Sequence, residues 1–243
     1  MTSYFVTATG TDIGKTYVTA GIIRAARQAG YDASGIKPIM SGYNEFNPEA
    51  SDAGALLAAM GKPVDQQTIA AISPWRFAAP LSPDMAASRE KRSISLRSIL
   101  TFCRIAAEAA PGLMLVEGVG GAMVPLDNFY TVRDWISALE IPAILVAGTY
   151  LGTISHTLTA VEALQARQVN ISALVLSESP NSPVPPEETA YAMAKFIPRI
   201  PIFIIPRDNN EAAFTRLAWV LAHDDKALQS AFPPERTIPT TSP

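Results

Sequence analysis

The sequence predicts a doubly wound α/β domain, a mostly parallel sheet with helices on both faces. Short apolar runs alternate along the chain with longer segments of helical period, the order that parallel strands and crossover helices produce. The runs GLMLVEG, PAILVAG and ISALVLS are apolar without alternation, as strands covered on both faces are. A third observation is ATGTDIGKT at residues 8–16, which follows the predicted strand SYFVTA and opens a helical stretch. That is the setting of a phosphate-binding turn.

The elements follow in order. SYFVTA is the first predicted strand, and a helix runs from Lys15 to about Gln28. DASGIKPI is the second strand, with Lys37 ending it just before Pro38. Ser51 to Met60 reads as a short helix capped by Ser51 or Asp52. Residues 62–93 are rich in proline and serine with weak periodicity and predict mainly loop. From Ser95 to Ala109 a helix places Leu96, Ile99, Leu100 and Cys103 on one face. Further helices fall near 131–140, 154–167, 187–196 and 210–222, and IPIFIIP is one more strand. Residues 1–231 read as one domain without internal repeats, and 232–243 as a frayed tail rich in proline and threonine.

Composition removes several classes of function. The 243 residues carry 19 Lys and Arg against 22 Asp and Glu, a net charge of −3. A mildly acidic chain does not present the basic surface that nucleic acid requires. One cysteine, Cys103, excludes an intrachain disulfide and suits a reducing compartment. Two histidines, His156 and His223, leave little for a histidine-based metal site. His156 reads as structural and Cys103 as a small core residue. The first residues lack a basic start followed by an apolar core, and no uncharged apolar run reaches transmembrane length. The expectation is a soluble cytoplasmic protein.

Four constellations carry chemistry. In the loop at 8–16, Gly14 permits close backbone approach, Lys15 reaches terminal phosphates and Thr16 offers a hydroxyl to Mg²⁺. The usual spacing puts a glycine at position 9, where Thr9 stands beside Gly10. Asp12 within the loop would repel phosphate; it is either an exposed loop aspartate or faces a cation such as a metal-bound water or a substrate ammonium. In MLVEGVGG, Glu117 ends an apolar strand, where carboxylates face the ligand crevice and can bind Mg²⁺. Gly118, Gly120 and Gly121 then leave room for a substrate. In GIKPIMSG, Lys37 can stabilise negative charge developing in phosphoryl transfer, and Ser41 and Gly42 form a turn able to donate hydrogen bonds. Asp52 is either a plain helix cap or completes a Mg²⁺ shell with Thr16 and Glu117. In AGTYLGTISH, Gly152 leads to a helix capped by Thr153 or Ser155, whose free amides suit a carboxylate.

Together these segments resemble the dethiobiotin synthetase family, ATP-dependent carboxylases of biotin synthesis. ATGTDIGKT is similar to the family's GTDTxVGKT, KPIMSG to its KPxxSG, Ser51 and Asp52 to its aspartate segment, and LVEGVGG to its LVEGAGG. SPWRFAAPLSPDMAA resembles PYxFxxPxSPHxAA, and VRDWI and residues 144–159 extend the match, which runs from about residue 4 to residue 206. The resemblance implies a P-loop α/β fold and a homodimer with active sites at the subunit interface. It implies that a 7,8-diaminononanoate amine captures CO₂ as a carbamate, that ATP phosphorylates the carbamate, and that the second amine closes the ureido ring.

Carried over by position, Lys15 and Lys37 hold the phosphates and the transferring group, and Thr16, Asp52 and Glu117 serve Mg²⁺. Thr11, Asp12 and Ser41 sit near the diamine or its carbamate, with Gly118 beside them. Asp12, Ile13, Gly14, Tyr17 and Ser177 complete the nucleotide site. The amides of Gly152, Thr153, Ile154 and Ser155 take the substrate carboxylate from the neighbouring subunit.

The departures are local. Ala8 replaces the first loop glycine, Asp12 a glutamate and Asp84 a histidine. Ser177 and Glu178 stand where the family often has an adenine-reading asparagine, and FIIP replaces GxIP. The last two touch the base-reading edge rather than the chemistry. A ParA- or MinD-like regulatory ATPase is an alternative on a similar fold, but its signature lysine would fall at Gly10. An amidating synthase on corrinoid acids would bring a glutaminase domain for which 243 residues leave no room. A degenerate relative that binds nucleotide without turnover is the remaining alternative, motivated by Ala8 and Ser177.

Overall fold

The computed structural model describes residues 2–223. Six strands form one sheet in which every neighbouring pair is parallel. They are β1 (Thr2–Ala8), β2 (Ala33–Ile36), β5 (Leu113–Glu117), β6 (Ala143–Ala147), β7 (Ile171–Ser177) and β8 (Ile202–Ile205), in the order β2-β5-β1-β6-β7-β8. Every residue of β5, β6 and β7 is buried, which is why their sequences show no alternation. The register pairs Val6 with Glu117 and Ala8 with Val146. After β1 the chain moves to one side of it, through β2 and β5, and then crosses to β6 on the other. The C-terminal end of β1 is therefore the switch point, where open α/β sheets bind ligands.

Two helix layers cover the sheet. In one, α1 (Lys15–Gln28) packs on α2 (Asp52–Ala59) and α9 (Glu211–Ala222). In the other, α6 (Val132–Leu139) lies between α5 (Leu96–Ala109) and α7 (Thr153–Gln165). Trp135 of α6 and Phe5 of β1 meet edge to face at 4.7 Å, both fully buried; such a contact adds about 0.5–1.5 kcal/mol to the area it buries. On α5, Ile99 and Cys103 are buried, while Leu96 and Leu100 are half-buried against the core. Burial pushes the Cys103 thiol up to about 12, so it packs as an inert apolar group.

Helix starts follow their caps. Ser51, not Asp52, caps α2: its hydroxyl accepts from the Gly54 amide at 3.0 Å. Asp52 is thereby left as the first residue of the helix, its carboxylate not needed for the cap and paired instead with Lys37. Thr131 and Asp134 form a reciprocal capping box before α6. Ahead of α7 the cap is Gly152 at φ 98°, with no side-chain cap bond. Thr153 instead donates to the Gly148 carbonyl at 2.7 Å.

Two expectations are corrected. Lys37 does not end a strand: β2 stops at Ile36, and Ile39–Ser41 (β3) belongs to a separate two-stranded parallel sheet. Its partner is β4 (Trp75–Phe77), in the 62–93 segment expected to be mainly loop. That segment also holds α3 (Gln66–Ile72) and α4 (Pro83–Arg89). Each is seven residues or shorter, too short to establish a period. Asp65 and Thr68 close a capping box on α3, and Pro83 starts α4. The remaining helix is α8 (Pro186–Ala194), packed on α7 and β8. The tail expected at 232–243 lies outside the described residues.

Candidate active site

The loop between β1 and α1 lies at the switch point. Thr9 donates to Val146 and Ala122 donates to Ala8, so the loop hangs between β6 and the turn after β5. Gly14 caps α1 at φ 99° and Asp12 sits at φ 57°. These are the loop's left-handed positions. Ala8 is still within β1 and buried, so its methyl group packs in the core. Gly121 abuts this loop: a Cβ there would lie 3.2 Å from the Gly10 backbone. At Gly118 a Cβ would strike the Phe5 ring at 2.7 Å. These two glycines thus make room for the protein's own chain, correcting the expectation that they make room for substrate. Gly118 enters the site through its carbonyl instead.

Two lysines and two carboxylates converge on the mouth of this loop. Lys37 follows β2 and is 2% exposed. Its ammonium donates to Glu117 Oε1 at 2.7 Å and to the Gly118 carbonyl at 2.8 Å, and pairs with Asp52 Oδ2 at 2.9 Å. The Thr16 hydroxyl donates to the same Glu117 oxygen at 2.6 Å. Glu117 Oε2 is buried with no hydrogen-bond partner, an acceptor left for another donor or a cation. Burial pulls the Lys37 ammonium down, but the Glu117 and Asp52 carboxylates outweigh it and hold it above the usual lysine value. Burial likewise pushes the Asp52 carboxyl up, and Lys37 and Thr16 reverse this, keeping it below the usual range. Among the described residues no carboxylate pairs with Lys15; its ammonium donates to the Gly10 carbonyl at 3.2 Å. Burial first, and then repulsion from Lys37, pulls it down to about 8.

Lys15, Lys37, Thr16 and Asp52 line a cleft of about 910 Å³ with Thr11, Asp12, Gly14 and Tyr17, and Glu117 is buried behind them, in contact with Lys37 and Thr16. Ser41 joins them from β3, its buried hydroxyl without a partner. Asp12 and Thr11 are exposed. The far wall is Pro80, Leu81, Ser82 and Pro83, residues that sequence reasoning placed in a loop and assigned no role. The PLSP run was the signal, since it matched a family motif. Gly42 at φ 72° rests on Pro80 and fixes that wall.

A second cleft of about 490 Å³ continues past Asp12, Gly14 and Tyr17 to the ends of β7 and β8. Ile13 and Ser177 line it, and Ser177 lies against Gly14, whose Cβ would be 2.9 Å from the serine hydroxyl. Glu178, Arg207 and Asp208 close it, with the Arg207 amide donating to Glu178 Oε2 at 2.9 Å. Asn210 donates to the Tyr17 hydroxyl at 2.6 Å. Tyr17 and Asn210 are 193 positions apart, a pairing no local pattern announces.

The Gly152–Ser155 segment is elsewhere. It lines a third groove of about 1070 Å³ with Tyr150 and Phe196, and none of its residues enters the 910 Å³ cleft of the same chain. Leu151, Ile154 and Phe196 expose apolar side chains there. His156 is exposed and hydrogen bonds through Nδ1 to the Tyr150 hydroxyl at 2.9 Å.

The described residues contain no cluster of three or more His, Cys, Asp or Glu able to hold a metal alone. Two carboxylates and a hydroxyl beside a phosphate site are instead the set Mg²⁺ takes when phosphates complete its shell. No helix among the described residues is long and apolar enough to cross a membrane.

A family model described as an AAA domain matches residues 2–212. The solved structure of the cell-division ATPase MinD from Pyrococcus furiosus is similar in fold, with a TM-score of 0.53 and 16% identity over 90% of this chain and 98% of that one. A ParA-family ATPase from Chlorobium tepidum aligns with a TM-score of 0.52 at 11% identity, over 96% of this chain and 94% of that one. At such identities the likeness is one of fold. Two curated sequences are far nearer. The ATP-dependent dethiobiotin synthetase BioD of Acidiphilium cryptum is 52% identical over 202 residues, 83% of this chain and 91% of that one. That of Methylobacterium nodulans is 48% identical over 200 residues, 80% and 89% of the two chains. Both relatives are well over 30% identical across most of either length, and the chain belongs to the ATP-dependent dethiobiotin synthetase family.

Proposed function

We propose that this protein closes the ureido ring of dethiobiotin from 7,8-diaminononanoate, CO₂ and ATP. The single observation that carries the residue assignment is the convergence of Lys15, Lys37, Thr16 and Asp52 on one cleft at the sheet's switch point, with Glu117 bonded to Lys37 and Thr16 just beneath its surface. One substrate amine adds to CO₂ and loses a proton, giving a carbamate. A carbamate oxygen takes the γ-phosphoryl group of ATP, and ADP leaves. The second amine attacks the activated carbonyl carbon and loses a proton, the C–O bond to phosphate breaks, and phosphate departs as the ring closes.

The roles follow from charge and position. The loop amides and Lys15 take the β- and γ-phosphates. Lys37, buried and aimed into the cleft, stabilises charge on the transferring phosphoryl group. Thr16, Asp52 and Glu117 hold Mg²⁺, and the orphaned Glu117 Oε2 fits that use. When bound, the metal neutralises charge on the phosphate oxygens. Asp12 and Thr11 face the diammonium end of the substrate, and the Ser41 hydroxyl contacts the carbamate. The base lies in the cleft at Ile13, Tyr17 and Ser177.

The carboxylate end of the substrate meets the helix amides at Gly152–Ser155 of a second subunit. The exposed Leu151, Ile154 and Phe196 support a homodimer through that groove. The same reading takes residues 1–231 as one domain, places the protein in the cytoplasm and gives it no nucleic-acid or membrane partner. Incubation with the diamine, labelled bicarbonate, Mg²⁺ and several nucleoside triphosphates tests it. Label enters an acid-stable product with at least one nucleotide; no incorporation with any of them ends this reading.

A further inference from the structure

The three residues assigned to the metal converge on a side chain that is itself a cation. All three N–H bonds of Lys37 are used: on Glu117 Oε1 at 2.7 Å, on Asp52 Oδ2 at 2.9 Å and on the Gly118 carbonyl at 2.8 Å. Thr16 spends its hydroxyl on the same Glu117 oxygen at 2.6 Å. A Mg²⁺ ion binds oxygen at about 2.0–2.1 Å. An ion on Glu117 Oε1 or Asp52 Oδ2 would therefore lie within about 5 Å of a buried ammonium, with little water between to screen the two charges. The ammonium and the metal compete for one pair of carboxylates. Lys15, a second buried cation in the same cleft, adds to the repulsion.

A triphosphate changes this balance. Its oxygens offer Lys37 new acceptors inside the cleft and supply the remaining ligands that Mg²⁺ requires. Asp52, whose side chain is 47% exposed, is free to turn from one cation to the other. We infer that Lys37 is the internal counter-cation of the Glu117–Asp52 pair, that it keeps divalent metal off these carboxylates in the nucleotide-free protein, and that metal enters only with a polyphosphate that draws the lysine away. This rests on the assignment of Thr16, Asp52 and Glu117 to the metal. Metal and nucleotide then bind as one unit, and Lys37 is carried from the carboxylates to the phosphates by the act of loading.

The test counts bound Mn²⁺ by the loss of its free-ion electron paramagnetic resonance signal. Wild-type protein alone binds Mn²⁺ weakly, and addition of a non-hydrolysable ATP analogue creates one tight site. Lys37→Gln alone binds Mn²⁺ at least about tenfold more tightly than wild type, within the range of ordinary site–site coupling. The gain is absent in Lys37→Gln/Glu117→Gln. A measurement on the wild type needs no variant: Mg²⁺ alone leaves Tm unchanged, whereas Mg²⁺ with ADP raises it. Equal Mn²⁺ affinity in wild type and Lys37→Gln, or a Tm raised by Mg²⁺ alone, overturns the inference while the metal assignment stands. Analogue-dependent Mn²⁺ binding that survives Glu117→Gln overturns both.

Discussion

Lys37 Nζ lies 2.7 Å from Glu117 Oε1, although the two residues are 80 positions apart and follow or end neighbouring strands β2 and β5. Lys37 comes just after the pairing of Ile36 with Val116, and Glu117 is the residue after Val116. The sheet register alone brings the two charges together. Substitution Lys37→Gln keeps a hydrogen-bonding amide there but removes the charge. Turnover should fall by about 10²–10³-fold or more, the loss seen when one charge-stabilising donor is removed from an active site. The far-ultraviolet circular dichroism should be retained. Near-normal turnover would take Lys37 out of the mechanism.

The buried Lys15 makes stability depend on pH in a defined direction. Burial and repulsion from Lys37 pull the Lys15 ammonium down to about 8, below the ordinary lysine value of 10.5. Below pH 8 both native and unfolded states hold the proton, and the charged, buried amine costs on the order of 3 kcal/mol. Between about 8 and 10.5 the native state releases a proton that the unfolded state keeps, so this cost is relieved as pH rises. Lys15→Met should then be more stable than wild type at pH 7, with the gap closing toward pH 10. Lys37 works in the opposite sense, since its pKa is raised: its contribution is present below 10.5 and lost above that. Urea denaturation at pH 7 and pH 10 measures the gap, and a constant difference would refute the assignment.

Gly21 is where α1 meets α9. A Cβ there would lie 2.3 Å from two ring atoms of Phe214. Alanine gains about 1 kcal/mol of helix propensity over glycine, but overpacking a tight contact costs about 1–3 kcal/mol. Gly21→Ala should lower Tm, and Gly21→Ala/Phe214→Leu should recover part of the loss. A rise in Tm for the single variant would show that the ring yields freely.

The groove at the start of α7 carries the dimer prediction. Leu151 is 88% exposed on the rim beside Gly152. Leu151→Asp should convert a dimer to a monomer in sedimentation velocity and abolish ring closure, because the carboxylate subsite is then lost from the neighbouring active site. A wild-type monomer that is fully active would exclude this arrangement.

Much of the site was legible because it is local. The loop at 8–16 is a contiguous run whose Gly14, Lys15 and Thr16 each hold their place relative to the end of β1. Glu117 announced itself as a lone carboxylate at the end of an apolar run. The α3–β4–α4 segment was not legible, since its elements are too short to show a period and β4 is defined by pairing with β3. The glycines were visible but their reason was not. Gly118 and Gly121 are small because Phe5 and Gly10 approach them from other parts of the chain.

The sequence by itself determined the alternation of strands and helices, the phosphate loop and the identity of every charged group in the cleft. Each of these is encoded within about a dozen residues, where periodicity and turn chemistry act. Tertiary structure decided what those charges do to one another. Only the register of β2 on β5 and the start of α2 bring Lys37 between Glu117 and Asp52, and only burial of the lysine itself, with repulsion from Lys37, pulls Lys15 down to about 8. Coulomb energy depends on distance and on excluded water, and neither is a property of a residue's place along the chain.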